Sequence, residues 1–238
     1  MKLKYLIDKN LNNGREIIQE LLSCCITKNK KYVIVDLGAG EGKDISSLSK
    51  LKNNRIHAIE NYPPNITILK EMGVKTHNIN IESESLPFED ESVDLLIANQ
   101  ILEHCKEIYW IFSEISRVLK VDGKIIVGVP NLASLHNRIL LSIGRQPSCI
   151  NINSAHIRGF SKNGMLSFLD QVFINGYKLL AFKGSNFYPF PPKIAVRISK
   201  IFPNASVGIF FLLNKQKRYN NEFINAVTKL ATPYFTGT

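Results

Sequence analysis

Short apolar runs alternate with helical stripes from residue 32 to residue 213. Tyr32 to Val35 is a continuous apolar run closed by Asp36, as expected of a strand buried on both faces of a parallel sheet. Apolar-rich runs predict strands near residues 55–60, 93–98, 124–129, 177–183 and 207–213, and a short strand is expected near 75–78. Helical spacing occupies most of the intervals, at 44–51, 63–72, 109–119, 132–143 and 161–173. Ser161 suits the N-cap of the last of these, and Gly176 lies beyond its end. A stripe of Ile17, Ile18, Leu21 and Leu22 predicts a helix ahead of the first strand, and an amphipathic tail covers 221–230. Strands alternating with helices predict an α/β fold built on a doubly wound parallel sheet.

Composition narrows this picture. The 238 residues suffice for one domain with its own core, and no apolar stretch reaches bilayer length. The first residues lack the sustained apolar segment of a secretory leader, so a cytoplasmic protein is expected. Cys24, Cys25, Cys105 and Cys149 have no metal-ligand spacing and read as reduced, buried thiols, so no metal is expected. Charge is unevenly divided: residues 32–100 carry net −5, and residues 132–238 carry net +11. An acidic first half suits a cationic ligand; a basic second half suits an anionic or membrane-associated one, or is simply a lysine-rich surface.

The candidate chemistry lies in Asp36-Leu-Gly38-Ala-Gly40-Glu-Gly42 and in Glu60, which ends the second predicted strand. Glycines there let backbone approach a ligand, and a carboxylate about twenty residues on is placed for a ribose diol. A dinucleotide fingerprint wants a small residue three positions after the second glycine, where this chain has Lys43. Glu41 inside the loop would repel a pyrophosphate but suits a cation. The loop resembles the first motif of class I S-adenosylmethionine-dependent methyltransferases. Leu86-Pro-Phe88 before the fourth strand is similar to a second family segment, and 115–131 to the helix, turn and strand that follow. Val121-Asp122-Gly123 stands where the family usually has a Pro-Gly-Gly turn.

The resemblance implies a Rossmann-like seven-stranded sheet, mostly parallel with an antiparallel last strand, and a lid inserted after strand 5. It implies S-adenosyl-L-methionine as cofactor: Asp36, Gly38 and Gly40 at the methionine end, Glu60 on the ribose, Glu82 and Ser83 at the adenine edge. Asn80 competes with Glu82 for that last position. Asn99 and Gln100 would floor the site beside the sulfonium. One domain is expected, with a helical cap over 1–31, a cofactor half over 32–131 and an acceptor side over 132–238.

Pro130-Asn131 through Arg138, with Ser154 through Phe160, resembles a bacterial and archaeal subgroup acting on small molecules in glycan and lipid-linked saccharide pathways. From this, a small-molecule acceptor methylated on oxygen is expected, anionic or lipid-linked. His156 is the preferred general base and His136 the second, with His104, Arg138 and Arg158 toward the acceptor. The 193–202 helix carries Ile194, Ile198 and Ile201 on one stripe and Lys193, Arg197 and Lys200 on another. Packing of the apolar stripe on the domain is expected, against peripheral contact with an anionic membrane. The alternative function is an RNA methyltransferase or nucleic-acid-binding protein using the basic half. No RNA-binding module or Asn-Pro-Pro-aromatic tetrad supports it, since Gln100 and Ile101 follow Asn99, and no stable nucleic-acid complex is expected. A chain that binds cofactor without an acceptor is a third reading.

Overall fold

A computed structural model describes residues 14–27, 30–46, 48 and 54–227. Much of the helix expected over 44–51 and the end of the 221–230 tail lie outside the described residues. Seven strands form one sheet: β1 (Val33–Leu37), β2 (Arg55–Ile59), β3 (Lys75–His77), β4 (Val93–Asn99), β5 (Leu119–Pro130), β6 (Tyr177–Ser185) and β7 (Gly208–Lys215). Their spatial order is β3-β2-β1-β4-β5-β7-β6. The pairs from β3 to β5 are parallel, and β7 runs antiparallel to both β5 and β6. The order reverses between β1 and β4, which opens a crevice at their C-terminal ends.

Alternating side chains build two cores, one on each face of the sheet. Ile34, Leu95, Ile97 and Ile126 point to one side, against Ile18, Leu21 and Leu22 of α1 (Arg15–Cys25). Val35, Leu96, Ala98 and Val127 point to the other, against Phe112 and Ile115 of α3 (Ile108–Val118), with Met165 and Leu169 of α5 (Lys162–Val172) and Phe223 of α7 (Glu222–Ala226). Helix α2 (Pro63–Glu71) contributes Leu69 to the first core. Ser161 caps α5 as expected, its hydroxyl accepting the Gly164 amide.

Two expectations change. Val121-Asp122-Gly123 does not end a helix-to-strand turn but bulges within β5: Leu119 already pairs with Val93, and Lys124 resumes pairing at Leu95. Asp122 takes a left-handed φ of 63°, which lets the chain loop out and rejoin the ladder. The apolar stripe of α6 (Pro192–Ile201) packs only in part: Ile198 is half-buried, while Ile194 and Ile201 are exposed. Ala195 and Ser199 are its buried contacts, while Ile194, Ile201 and Phe202 are exposed beside Lys193, Arg197 and Lys200.

The Leu86-Pro-Phe segment is stapled to α3 by charge. Glu114 accepts the Leu86 amide at 2.7 Å, and Arg117 pairs with Glu114 and Asp90 while donating to the Leu86 and Phe88 carbonyls. Removing one partner leaves the other buried group uncompensated. Arg117→Ala should therefore destabilise the fold by about 2 to 3 kcal/mol in denaturant titrations; a loss within a few tenths would show the staple to be energetically idle.

Candidate active site

The crevice is shaped by backbone. Gly38, Gly40 and Gly42 have φ of 64°, 54° and 73°, a left-handed region that side chains with a Cβ resist. The loop hangs on the end of β2: the Gly38 and Ala39 amides donate to the Ile59 carbonyl, and the Gly40 amide donates to Glu60 Oε2 at 2.7 Å. Glu60 Oε1 accepts from the Asn61 and Tyr62 amides, and Asn65 reaches Oε2 at 3.4 Å. A Cβ on Gly38 would meet the Ile101 side chain at 2.7 Å, whereas one on Gly40 would meet nothing within 4 Å. Gly40 therefore borders open space, in a cleft of about 270 Å³ lined by Arg15, Asp44, Asn99 and Gln100 among others.

The electrostatics of this cleft are acidic. Asp36 is buried, and its Oδ2 has no partner among the described residues. Burial, then Asp44 and Glu60 nearby, push its carboxyl well above the ordinary carboxylate range. Asp44 is raised by burial as well, despite accepting from Asn99 Nδ2 at 2.8 Å and lying 3.7 Å from Arg15. Gln100 sits at φ 55° with its amide on the Gly128 carbonyl, which turns the chain away from β4. Asp36, Gly38, Gly40, Glu60, Asn99 and Gln100 thus converge as expected. Asp44 was not singled out by the sequence, although its place just after the third glycine was a usable signal.

The adenine-edge residues sit farther along the rim. Glu82 Oε1 accepts the amides of Lys106 and Glu107 (3.0 Å for the latter), holding the approach to α3, and Ser83 is exposed in the adjoining turn.

A second cluster assembles from distant segments. The Glu103 carbonyl accepts the Ile157 and Arg158 amides at 2.9 and 3.2 Å. This brings Leu102-Glu103-His104, a 3₁₀ turn just past β4, against the 154–160 stretch. The His104 and His156 rings meet edge to face, 4.7 Å between centroids. His104 Nδ1 lies 3.3 Å from the Ala155 carbonyl, and His156 Nδ1 lies 2.9 Å from the Cys149 carbonyl. Burial and His156 keep the His104 imidazole below its usual pKa. Glu103 is 1% exposed, neither carboxylate oxygen has a partner among the described residues, and burial pushes it up to about 7. Sequence reasoning passed over Glu103, which reads there as an ordinary polar residue beside a histidine.

The remaining expected residues are tied to backbone or hydroxyls. Arg158 donates to the Cys105 and Lys106 carbonyls, so it fastens the 154–160 stretch to the turn. Arg138, on α4 (Leu135–Ser142), is exposed and donates to the Ala133 carbonyl. His136, expected as a second base, is held between two hydroxyls, with Ser134 at its Nδ1 (3.1 Å) and Ser148 at its Nε2 (2.6 Å).

A switch-point crevice with a glycine loop, an acidic strand end and a helix-flanked mixed sheet defines a nucleoside-binding α/β enzyme. Residues 35–127 match the family model described as a methyltransferase domain. An uncharacterized protein of Methanocaldococcus jannaschii is 29% identical over 215 residues, covering 87% of this chain and 89% of its own length. A malonyl-[acyl-carrier protein] O-methyltransferase of a Marinomonas species is 25% identical over 125 residues, 51% of this chain and 46% of that one. The geranyl diphosphate C-methyltransferase of Streptomyces coelicolor, solved with Mg²⁺, geranyl diphosphate and S-adenosyl-L-homocysteine, shares the fold at TM-score 0.56 and 14% identity, over 85% of this chain and 79% of that one. Residues 35–127 thus form a methyltransferase domain on the fold of the class I S-adenosylmethionine-dependent methyltransferases, and S-adenosyl-L-methionine is the cofactor that this likeness supports.

The acidic cleft makes binding of this cation depend on pH. A cation beside Asp36 and Asp44 favours their ionised forms, so binding lowers their raised pKa values and releases protons. Affinity should rise with pH above the ordinary carboxylate range, and calorimetry in buffers of different ionisation enthalpy should show net proton release. Proton uptake, or none, would remove these carboxylates from cation recognition.

Proposed function

We propose that the protein transfers the methyl group to a hydroxyl of a small-molecule acceptor in glycan or lipid-precursor metabolism. The observation that carries this reading is the Glu103–His104–His156 corner, whose Glu103 lies three residues past Gln100 at the cleft floor. Bound S-adenosyl-L-methionine supplies an electrophilic methyl on a neutral leaving group, so the chain's tasks are alignment, exclusion of water and removal of the acceptor's proton. Asp36 and the close backbone approach at Gly38 and Gly40 receive the methionine end. Glu60 takes the ribose diol, which replaces the long bond from Asn65. The adenine lies toward Glu82 and Ser83. His156 works within the corner, as part of the group that deprotonates the acceptor.

An anionic or lipid-linked acceptor is supported by exposed apolar and basic residues after β5 and around α6. Leu135, Ile139, Leu141 and Ile143 of the segment after β5 are exposed, as are Ile194, Ile201 and Phe202 around α6. Arg138, Arg145, Lys193, Arg197 and Lys200 are exposed among them, a layout suited to an anionic membrane surface. The Marinomonas relative is named for a malonyl group on an acyl-carrier protein and the Streptomyces neighbour for geranyl diphosphate, both acceptors of anionic character.

Two measurements test this reading. Glu60→Ala should weaken cofactor binding by about 2 to 3 kcal/mol, through lost charge-assisted hydrogen bonds and a loosened loop; unchanged calorimetric affinity would defeat the ribose assignment. Vesicles containing acidic phospholipid should co-sediment the wild-type chain, and Ile201→Asp with Phe202→Asp should reduce the bound fraction severalfold. Equal recovery of both proteins would sink the membrane-linked acceptor.

A further inference from the structure

We propose that Glu103, His104 and His156 form a binding site for a divalent zinc-class cation that carries the acceptor's oxygen. The inference deepens the reading of this corner as the acceptor end and rests on it. One carboxylate oxygen of Glu103 and one ring nitrogen from each histidine all lie within 4.8 Å of one another. A tetrahedral site with bonds of about 2.1 Å sets ligand atoms roughly 3.4 Å apart, so closure by about 1 Å completes the set. His104 is exposed and free to make that adjustment.

Three features set this group apart from a chance cluster. Glu103 is buried with both carboxylate oxygens unpartnered, an arrangement that a cation would satisfy and that no described side chain does. Each histidine places Nδ1 at a backbone carbonyl, Ala155 for His104 and Cys149 for His156. That second-shell contact selects the tautomer whose Nε2 lone pair is available to a metal. The donors come from two segments locked together by the Glu103 carbonyl, so the geometry does not depend on one flexible loop.

The donor set also selects the ion. Two imidazoles and one carboxylate suit zinc and its first-row neighbours, whereas magnesium and calcium prefer oxygen ligands throughout. Three protein ligands leave one position open, as in catalytic rather than structural zinc sites. The acceptor hydroxyl would occupy it, with its pKa lowered by the ion, and lose its proton to water. Its oxygen then forms the new C–O bond as the S–C bond breaks, and the electron pair stays on sulfur, now neutral. His156 thereby acts as a ligand rather than as a free base.

The full-length chain, stripped with chelator, should be titrated with Zn²⁺ by calorimetry and with Co²⁺ by visible absorption. One equivalent should bind, with the ligand-field bands of a low-coordinate cobalt site and no thiolate charge-transfer band. Glu103→Gln, His104→Ala and His156→Ala should each weaken binding at least tenfold while circular dichroism shows the fold intact. Absence of binding, binding that survives all three substitutions, or a thiolate band would overturn the proposal. Cofactor affinity and acceptor turnover of the wild-type chain are read separately. A chain that methylates its acceptor at full rate after chelation also refutes the site's role, whereas a chain that binds zinc but methylates no hydroxyl leaves the site standing and refutes the acceptor reading.

Discussion

The shape of the cofactor cleft depends on how the end of β2 receives the loop that follows β1. One carbonyl, Ile59, takes two loop amides, and one carboxylate, Glu60, takes a third while also capping the turn into α2. Loop glycines supply the left-handed backbone, but they do not by themselves choose a conformation; the β2 end does. Parallel pairing of Ile59 with Leu37 places that acceptor beside the loop's first residue. Gly38 then lies close enough for Ile101 to pack over it, so the turn after β4 is built on the same support. From that turn Glu103 and His104 extend toward the acceptor side.

The cleft concentrates carboxylates where few are neutralised. Asp36, Asp44 and Glu60 surround the loop, with Arg15 nearest to balance them. Such a site is electrostatically strained without its ligand, and a cationic methyl donor relieves it. Residues 132–238 carry the opposite polarity, net +11, which on the proposed reading would face the acceptor. One chain thus presents opposite fields to its two substrates.

The sheet was legible because each buried strand is a short apolar run and each connection carries a helical period. The glycine loop and Glu60 were legible because their backbone demands restrict residue choice. What escaped was set by tertiary contact. Asp-Gly at 122–123 signals a turn equally well as a strand bulge, and pairing with β4 decides between them. The stripe of α6 has the spacing of a packed helix, and its exposed part at Ile194 and Ile201 is set by which described elements reach it rather than by spacing. Which partners hold His136 and His156 was equally hidden: two serine hydroxyls meet the first ring, and the Cys149 carbonyl meets Nδ1 of the second. Glu103 and His156 lie more than fifty positions apart, so no linear spacing could announce their meeting.

The join between those two regions is made by a main-chain oxygen receiving two main-chain amides. Apart from Arg158, whose side chain adds bonds to the Cys105 and Lys106 carbonyls, and His156, whose Nδ1 meets the Cys149 carbonyl, side-chain identity along 154–160 therefore has little say in where that stretch sits. Mutation can vary the groups lining the pocket without unseating the strip that bears them, so substrate preference in such a scaffold can drift over evolutionary time while its architecture is retained.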